Sequence, residues 1–474
     1  MASPIGRSAA RENNVDQHYL PGEAQGGTRE KGLRQQLSAG QMAMVGIGGS
    51  IGTGLLLGSG AAIQIAGPAV IFSFLLAGLI SWCLTVAFGE LASVHPAAGS
   101  FGVYAEIYLN DWAGFLSRYA LWLGLAIAIG SELVAAATYM GYWFPGVRQI
   151  VWVLVFSVLL LAFNLRPVGD FGRIEYWFAM LKLVTILAFI VLGGSLLLSG
   201  HLKPQYTAHG GFFPNGPLAP AAAMTFALFT FAGVEMVAVS SGESRSGSDM
   251  PRAVLTTFGV LACVYLGSIV VLTGIVPWNG AGVTESPLVS VFRIAHLPAT
   301  SHFMNFVVLS AALSGANASL YVCARMLFSL ARGGYAPTVF GRLTKAGSPL
   351  FALLASSFGI VLALVMTKWA PQSAYVYLLG VSLFGVVLVW LVTLGAHISF
   401  RRRLSLTQQA ELRMRPRGRI WLSLLGIVLV VLSVLGTLWA SPVVVASGFV
   451  YLIVLTLVYW TLKKARAKSR MAEE

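Results

Sequence analysis

The sequence predicts an all-α membrane protein of twelve transmembrane helices. Three observations predict it. Of 474 residues, 57% are hydrophobic and only 10% charged, with a mean hydropathy of +0.78, whereas soluble domains carry about 25% charged residues. Apolar runs of roughly 18 residues or more, long enough to cross a bilayer, recur along nearly the whole chain. Lysine and arginine collect in alternate connections, as positive-inside topology requires.

The spans fall at 41–65, 67–91, 111–141, 148–165, 174–200, 218–241, 253–277, 303–330, 350–368, 373–398, 419–440 and 442–462. Pro68, Pro167, Pro251, Pro277 and Pro349 lie at or near their ends, where proline disturbs a helix least. An even count puts both termini on one side. With the termini cytoplasmic, the outer loops hold only Arg148, Lys203, Arg293 and Lys368 of 31 basic residues. Arg401, Arg402, Arg403, Arg413, Arg415, Arg417 and Arg419 crowd one inner connection, and Lys463, Lys464, Arg466, Lys468 and Arg470 follow the last span. The net charge of +14 therefore reads as topology and contact with membrane lipids, not as a nucleic-acid surface. No secretory signal opens the chain, since residues 1–40 are polar. Cys83, Cys263 and Cys323 fall singly within apolar segments, a spacing that suggests neither disulfide nor metal site.

Span one carries the most unusual stretch. Five of the nine residues from Gly46 to Gly54 are glycine, and each interior glycine costs a helix about 0.5–1 kcal/mol relative to alanine. One reading is a helix break in mid-membrane, tolerated where protein buries it or water reaches it. Its freed N–H groups would then face an anionic ligand. The other reading is close helix packing, because Gly48/Gly52 and Gly54/Gly58 fit the small-residue motif. Span six repeats the theme with Gly233 inside Phe229–Glu235. Two interrupted spans five positions apart point to an inverted repeat, spans 1–5 pairing with 6–10. Residues 92–110 are too polar to span and predict an amphipathic helix at the cytoplasmic face.

Ionisable residues inside spans are costly and mark function by default. Lys182 lies eight residues into span five, roughly 12 Å deep at 1.5 Å per residue. A buried amine there can gain and lose a proton near neutral pH. Glu235 follows Gly233 by two residues and can either hold the opened backbone or meet a ligand or proton. Glu132 lies well inside span three and reads as a structural hydrogen-bonding group, with receipt of a cationic side chain left open. Glu90 and Glu243 lie near cytoplasmic span ends and read as solvated structural groups. No HExxH, phosphate-binding loop or GxSxG stretch argues for catalysis, and no cofactor is implied. His95, beside Pro96, reads as structural.

Several stretches carry a family resemblance. Residues 48–60, GlyGlySerIleGlyThrGlyLeuLeuLeuGlySerGly, resemble the first span of bacterial amino acid permeases, within the amino acid–polyamine–organocation superfamily. PheGlyGluLeuAla (88–92) with ProAlaAlaGlySerPhe (96–101), and GluTyrTrpPheAlaMetLeuLys (175–182), agree in order. So do PheAlaGlyValGlu (231–235) with GlyGluSer (242–244) and ProArgAla (251–253), and AlaArgMetLeuPheSerLeuAlaArgGlyGlyTyrAlaPro (324–337). The loop residues ArgSerGlySerAspMet (245–250) depart from the acidic, proline-containing stretch usual there.

The resemblance implies a LeuT-like fold, a 5+5 inverted repeat with helices one and six broken. The tail 1–35, rich in Gly, Glu, Arg and Gln, is expected to be disordered, and the resemblance implies a ten-helix transport core at 36–400. A basic cytoplasmic loop at 401–418, helices eleven and twelve at 419–462 and a cytoplasmic tail at 463–474 would complete the chain. It implies that a substrate carboxylate meets backbone N–H groups of Ile51, Gly52, Thr53 and Gly54. The substrate amine would meet carbonyls of Phe231, Ala232 and Gly233, with Phe229 as an aromatic lid. Lys182 matches the family's span-five lysine, whose ammonium would replace a sodium ion and suggests coupling to protons. The function implied is proton symport of amino acids across the cytoplasmic membrane by a secondary active transporter, not an enzyme. An amino acid exchanger and a non-transporting amino acid sensor remain the alternatives. A channel would need a continuous polar pathway, which the few deep polar side chains do not supply. Glu235→Gln is expected to impair amino acid uptake markedly in proteoliposomes; wild-type uptake would show that its charge is unimportant.

Overall fold

Residues 39–94, 100–164, 171–233, 249–344, 348–405, 419–440 and 442–473 are described by a computed structural model of the chain. Their regular structure is entirely helical. The first half contains α1 (Ala39–Ser50), α2 (Ser59–Ala66), α3 (Val70–Val94), α4 (Ser100–Tyr108), α5 (Asp111–Gly141), α6 (Gln149–Asn164) and α7 (Phe171–Leu198). The second contains α8 (Ala219–Ala222), α9 (Met224–Phe231), α10 (Asp249–Ile275), α11 (Pro287–Ile294) and α12 (Pro298–Arg332). It continues with α13 (Leu350–Ser356), α14 (Phe358–Trp369), α15 (Ala374–Arg403), α16 (Arg419–Ala440) and α17 (Pro442–Glu473).

Among the described residues, nine helical stretches are long and apolar enough to cross a membrane. The first, Gly46–Ala92, takes in both expected spans one and two; Pro68 sits in a 3₁₀ turn between them. Gln149–Asn164 is a shorter apolar helix at expected span four. The chain is therefore a multi-pass, all-helical membrane protein. The expected tail 1–35, His95, Glu235, Glu243, residues 245–248 of the altered loop and the basic residues at 413–417 lie outside the described residues. Two expected segments contain helix. Helix α17 continues to Glu473, so residues 463–473 prolong the last helix. The segment 92–110 contributes to α3 as far as Val94, and its separate helix, α4, begins at Ser100.

The central pillar is α5, a 31-residue helix buried along most of its length. Its start is set locally: the Asn110 side chain accepts from Ala113 N at 2.9 Å, and Asp111 sits in the first turn, where negative charge suits the helix dipole. Small residues let neighbours approach the pillar. A β-carbon at Gly124 would lie 2.9 Å from the Ser382 carbonyl oxygen of α15, and one at Gly130 2.6 Å from the Gly359 oxygen of α14. Such contacts replace the hydrophobic effect as the source of helix association in lipid. Polar bonds add register: Trp122 Nε1 donates to Ser356 Oγ on α13 at 2.9 Å, and Asn305 Nδ2 of α12 to the Tyr139 carbonyl at 2.9 Å. The amphipathic helix α4 packs against the pillar, with Phe101, Tyr104 and Ala105 buried.

Three helices are clamped by charge. Glu90 of α3 accepts from Arg401 Nε of α15 at 2.7 Å, and Arg401 Nη2 reaches its second oxygen. His397 Nε2 lies 2.7 Å from Glu90 Oε2, and His397 Nδ1 lies 2.7 Å from Ser423 Oγ of α16. Glu90, His397 and Arg401 are at most 5% exposed. The expectation of a solvated Glu90 is thus corrected: the role is structural, but the carboxylate is buried because a bidentate arginine replaces water. Removing one partner of such a pair leaves an uncompensated buried charge. Arg401→Ala is therefore expected to destabilise the protein by about 3–5 kcal/mol, read as a lowered thermal midpoint in detergent. The paired replacement Glu90→Leu with Arg401→Met should cost less, because no lone charge remains.

Candidate functional site

The glycine run interrupts its helix. Helix α1 ends at Ser50, Ile51 and Gly52 leave the helical path, and the chain re-enters at Thr53 through a π-helical turn, Gly54–Gly58. Glycine makes the local helix weak, and the wide turn leads into the second half, α2. Helix α2 is capped from the segment before α8: Asn215 Nδ2 donates to the Ile65 carbonyl at 2.9 Å. Gly67, at φ +62°, turns the chain away, and a β-carbon there would collide with Pro214. Most of 51–58 is buried, while Gly49 is exposed and Gly52 partly so.

Side chains from four other helices satisfy the interruption. Lys182 of α7, 1% exposed, donates through Nζ to the Gly48 carbonyl at 3.1 Å. Tyr265 of α10 donates to the Ser50 carbonyl at 2.8 Å, and Tyr375 of α15 to the Thr53 carbonyl at 2.7 Å. On the N–H side, Thr53 N donates to Glu132 Oε1 of α5 at 3.4 Å. Carbonyls thus face an ammonium and two phenols, and an amide faces a carboxylate. The arrangement matches the polarity of opened helix ends, whose N–H groups attract anions and whose carbonyls attract donors.

A second interruption meets the first. Helix α9 ends at Phe231; Ala232 is extended at φ −64°, ψ 139°, and Gly233 takes φ +107°, a conformation that costs other residues strain. The two breaks touch through their glycines. A β-carbon at Gly54 would lie 2.9 Å from Thr230 Cα and from the Phe229 ring, and one at Gly233 2.7 Å from Ser50 Cα. Both packing and interruption therefore explain the glycines: the residues that open the helices also let them approach.

The expected site residues separate accordingly. Ile51, Gly52, Thr53, Gly54, Phe229, Ala232 and Gly233 come together, and Lys182 and Glu132 reach the same segment. The Phe231 side chain turns elsewhere, edge-on to Tyr265 with ring centroids 5.0 Å apart. Glu235 lies outside the described residues. Tyr265, Tyr375 and Tyr139 are residues that sequence reasoning missed. Each sits inside an apolar helix, where a phenolic hydroxyl needs a partner, and that was the available signal.

The amino acid permease family matches residues 41–473. The gamma-aminobutyric acid permease of Bacillus subtilis (strain 168) is 33% identical over 416 residues, 86% of this chain and 88% of the relative. The putative histidine permease of the same organism is 35% identical over 382 residues, 78% of this chain and 80% of the relative. The aromatic amino acid transport protein AroP of Escherichia coli (strain K12) is 34% identical over 389 residues, covering 81% and 84%. With matches this extensive, laid over a multi-pass helical protein with two apposed breaks, the chain belongs to the amino acid permease family.

Proposed function

We infer that the protein is a secondary active transporter that imports amino acids across the cytoplasmic membrane by proton symport and alternating access. The carrying observation is the pair of apposed interruptions at 51–53 and 232–233. Opened N–H groups suit a carboxylate and opened carbonyls suit an ammonium. Such a pair recognises the part common to all amino acids. The substrate carboxylate goes to the N–H groups of Gly52, Thr53 and Gly54, since the Ile51 N–H already donates to the Ile47 carbonyl at 3.0 Å. The amine goes to carbonyls of Phe231, Ala232 and Gly233, and Phe229, packed on Gly54, covers the site. Twelve spans in a LeuT-like 5+5 inverted repeat, with both termini cytoplasmic, fit the positions of the breaks and the basic residues.

Lys182 is the proton-coupling residue in this reading. Protonated, it holds the Gly48 carbonyl and ties α7 to α1; deprotonated, it loses the charge that strengthens that bond. The proton then acts through its different affinity for the states of the cycle. Relatives named for gamma-aminobutyric acid, histidine and aromatic amino acids make these compounds the first to assay. Uptake of the radiolabelled compounds into proteoliposomes, with and without an imposed inward proton gradient, tests the reading.

Gly54→Leu is expected to reduce that uptake to background while the protein inserts and purifies normally, because the side chain would drive the breaks apart. Normal uptake would refute a substrate-contacting break. Lys182→Met is expected to abolish uptake driven by a pH gradient and to retain counterflow of substrate without one. Driven accumulation in this variant would rule out coupling through Lys182, and loss of both activities would assign the lysine a purely structural part.

A further inference from the structure

The group bound to the first break is itself a carboxylate. Glu132 is 6% exposed and places Oε1 on Thr53 N. Two glycines, one in the break and one on α12, make its berth: a β-carbon at Gly52 would lie 2.9 Å from Oε1, and one at Gly315 would lie 3.2 Å from Oε2. Its other oxygen, Oε2, and Tyr139 Oη are buried without a well-formed hydrogen bond among the described residues, and the Thr53 hydroxyl lies beside the carboxyl group. The Lys182 ammonium and the Tyr139 hydroxyl both lie within electrostatic reach of the carboxylate. The break therefore holds a fitted carboxyl group, with the Thr53 and Tyr139 hydroxyls beside it, in a berth lined by glycine.

The geometry points to Glu132 as a resident occupant of the substrate-carboxylate subsite, one that must give up Thr53 N–H before an amino acid can bind there. The inference rests on the reading that the substrate carboxylate uses the N–H groups of residues 52–54. One N–H cannot serve two carboxylates, and two like charges on one berth repel. While the site is empty, Glu132 satisfies the opened backbone, whose unpaired amide would otherwise be costly. When substrate arrives, an equivalent carboxylate takes over, so the break is satisfied in both states. The exchange makes Glu132 a positioning residue that sets affinity by competition, with no contact to the substrate required. The buried Thr53 and Tyr139 hydroxyls are polar groups available to hold the incoming anion.

The test titrates phenylalanine and histidine, with phenethylamine and histamine as their decarboxylated counterparts, into purified full-length protein in detergent by calorimetry. Glu132→Gln removes the competing charge and keeps the shape. It is expected to bind the amino acid roughly tenfold more tightly, the scale of a typical coupling between sites, and to leave amine binding unchanged. In uptake assays its KM falls, and its maximal rate does not rise in proportion. Glu132→Asp, which draws the charge back from Thr53 N–H, should tighten amino acid binding by a smaller factor; it carries the test if the glutamine variant does not fold. Preference for amino acid over amine, with no tightening in either variant, overturns the competition and leaves the carboxylate subsite standing. Equal binding of amino acid and amine to wild type, or binding of neither, overturns the subsite reading and the competition with it. A purely structural Glu132 would weaken both probes alike.

Discussion

The interruption of the first helix at Ile51 and Gly52 is the constraint on which the rest of the structure depends. A helix that opens inside a bilayer strands amide and carbonyl groups where water cannot serve them all, at several kcal/mol for each group left unpaired. The protein meets the demand with side chains drawn from α5, α7, α10 and α15. Those four helices are thereby fixed around one short segment. Their packing follows from the same need, since Lys182, Tyr265 and Tyr375 can reach backbone oxygens only if their helices lie close to α1.

Glycine carries two loads at this place. It weakens the helix enough to open, and its missing side chain admits whatever must come near. Gly54 admits Thr230 and Phe229, Gly233 admits Ser50, and Gly52 admits the Glu132 carboxylate. A helix break and a close packing groove are therefore the same physical object here. Each bond that holds it joins a side chain to a backbone group. On the proposed reading, a substrate replaces resident groups one for one, and the cycle can change state without exposing bare backbone to lipid.

The scaffold around this centre is held differently. Helix α5 approaches α14 and α15 across Gly124 and Gly130, where association depends on shape. Farther away, Glu90, His397, Arg401 and Ser423 tie α3, α15 and α16 through a buried charged cluster. Close packing with a few polar bonds at the pillar and a charged clamp near the ends of α3 and α15 hold the scaffold around the break.

Much of the class was determined by the sequence itself. Hydropathy and the alternation of basic residues dictate a multi-pass helical protein, because the bilayer tolerates few other solutions. The density of glycine in 46–54 dictates where a helix weakens, since that penalty is local and additive. The depth of Lys182 and Glu132 marks both as unusual for the same reason: charge in lipid needs a partner somewhere. Which partner each one finds was decided only by tertiary structure. Nothing in the linear order joins Glu132 to Thr53, 79 residues away, Tyr375 to Thr53, or Tyr265 to Ser50. The burial of Glu90 was equally illegible, because its arginine lies 311 residues along the chain. Periodicity and composition report how a segment meets lipid; the pairing of polar groups depends on which helices are neighbours, and that is set by packing the whole bundle at once.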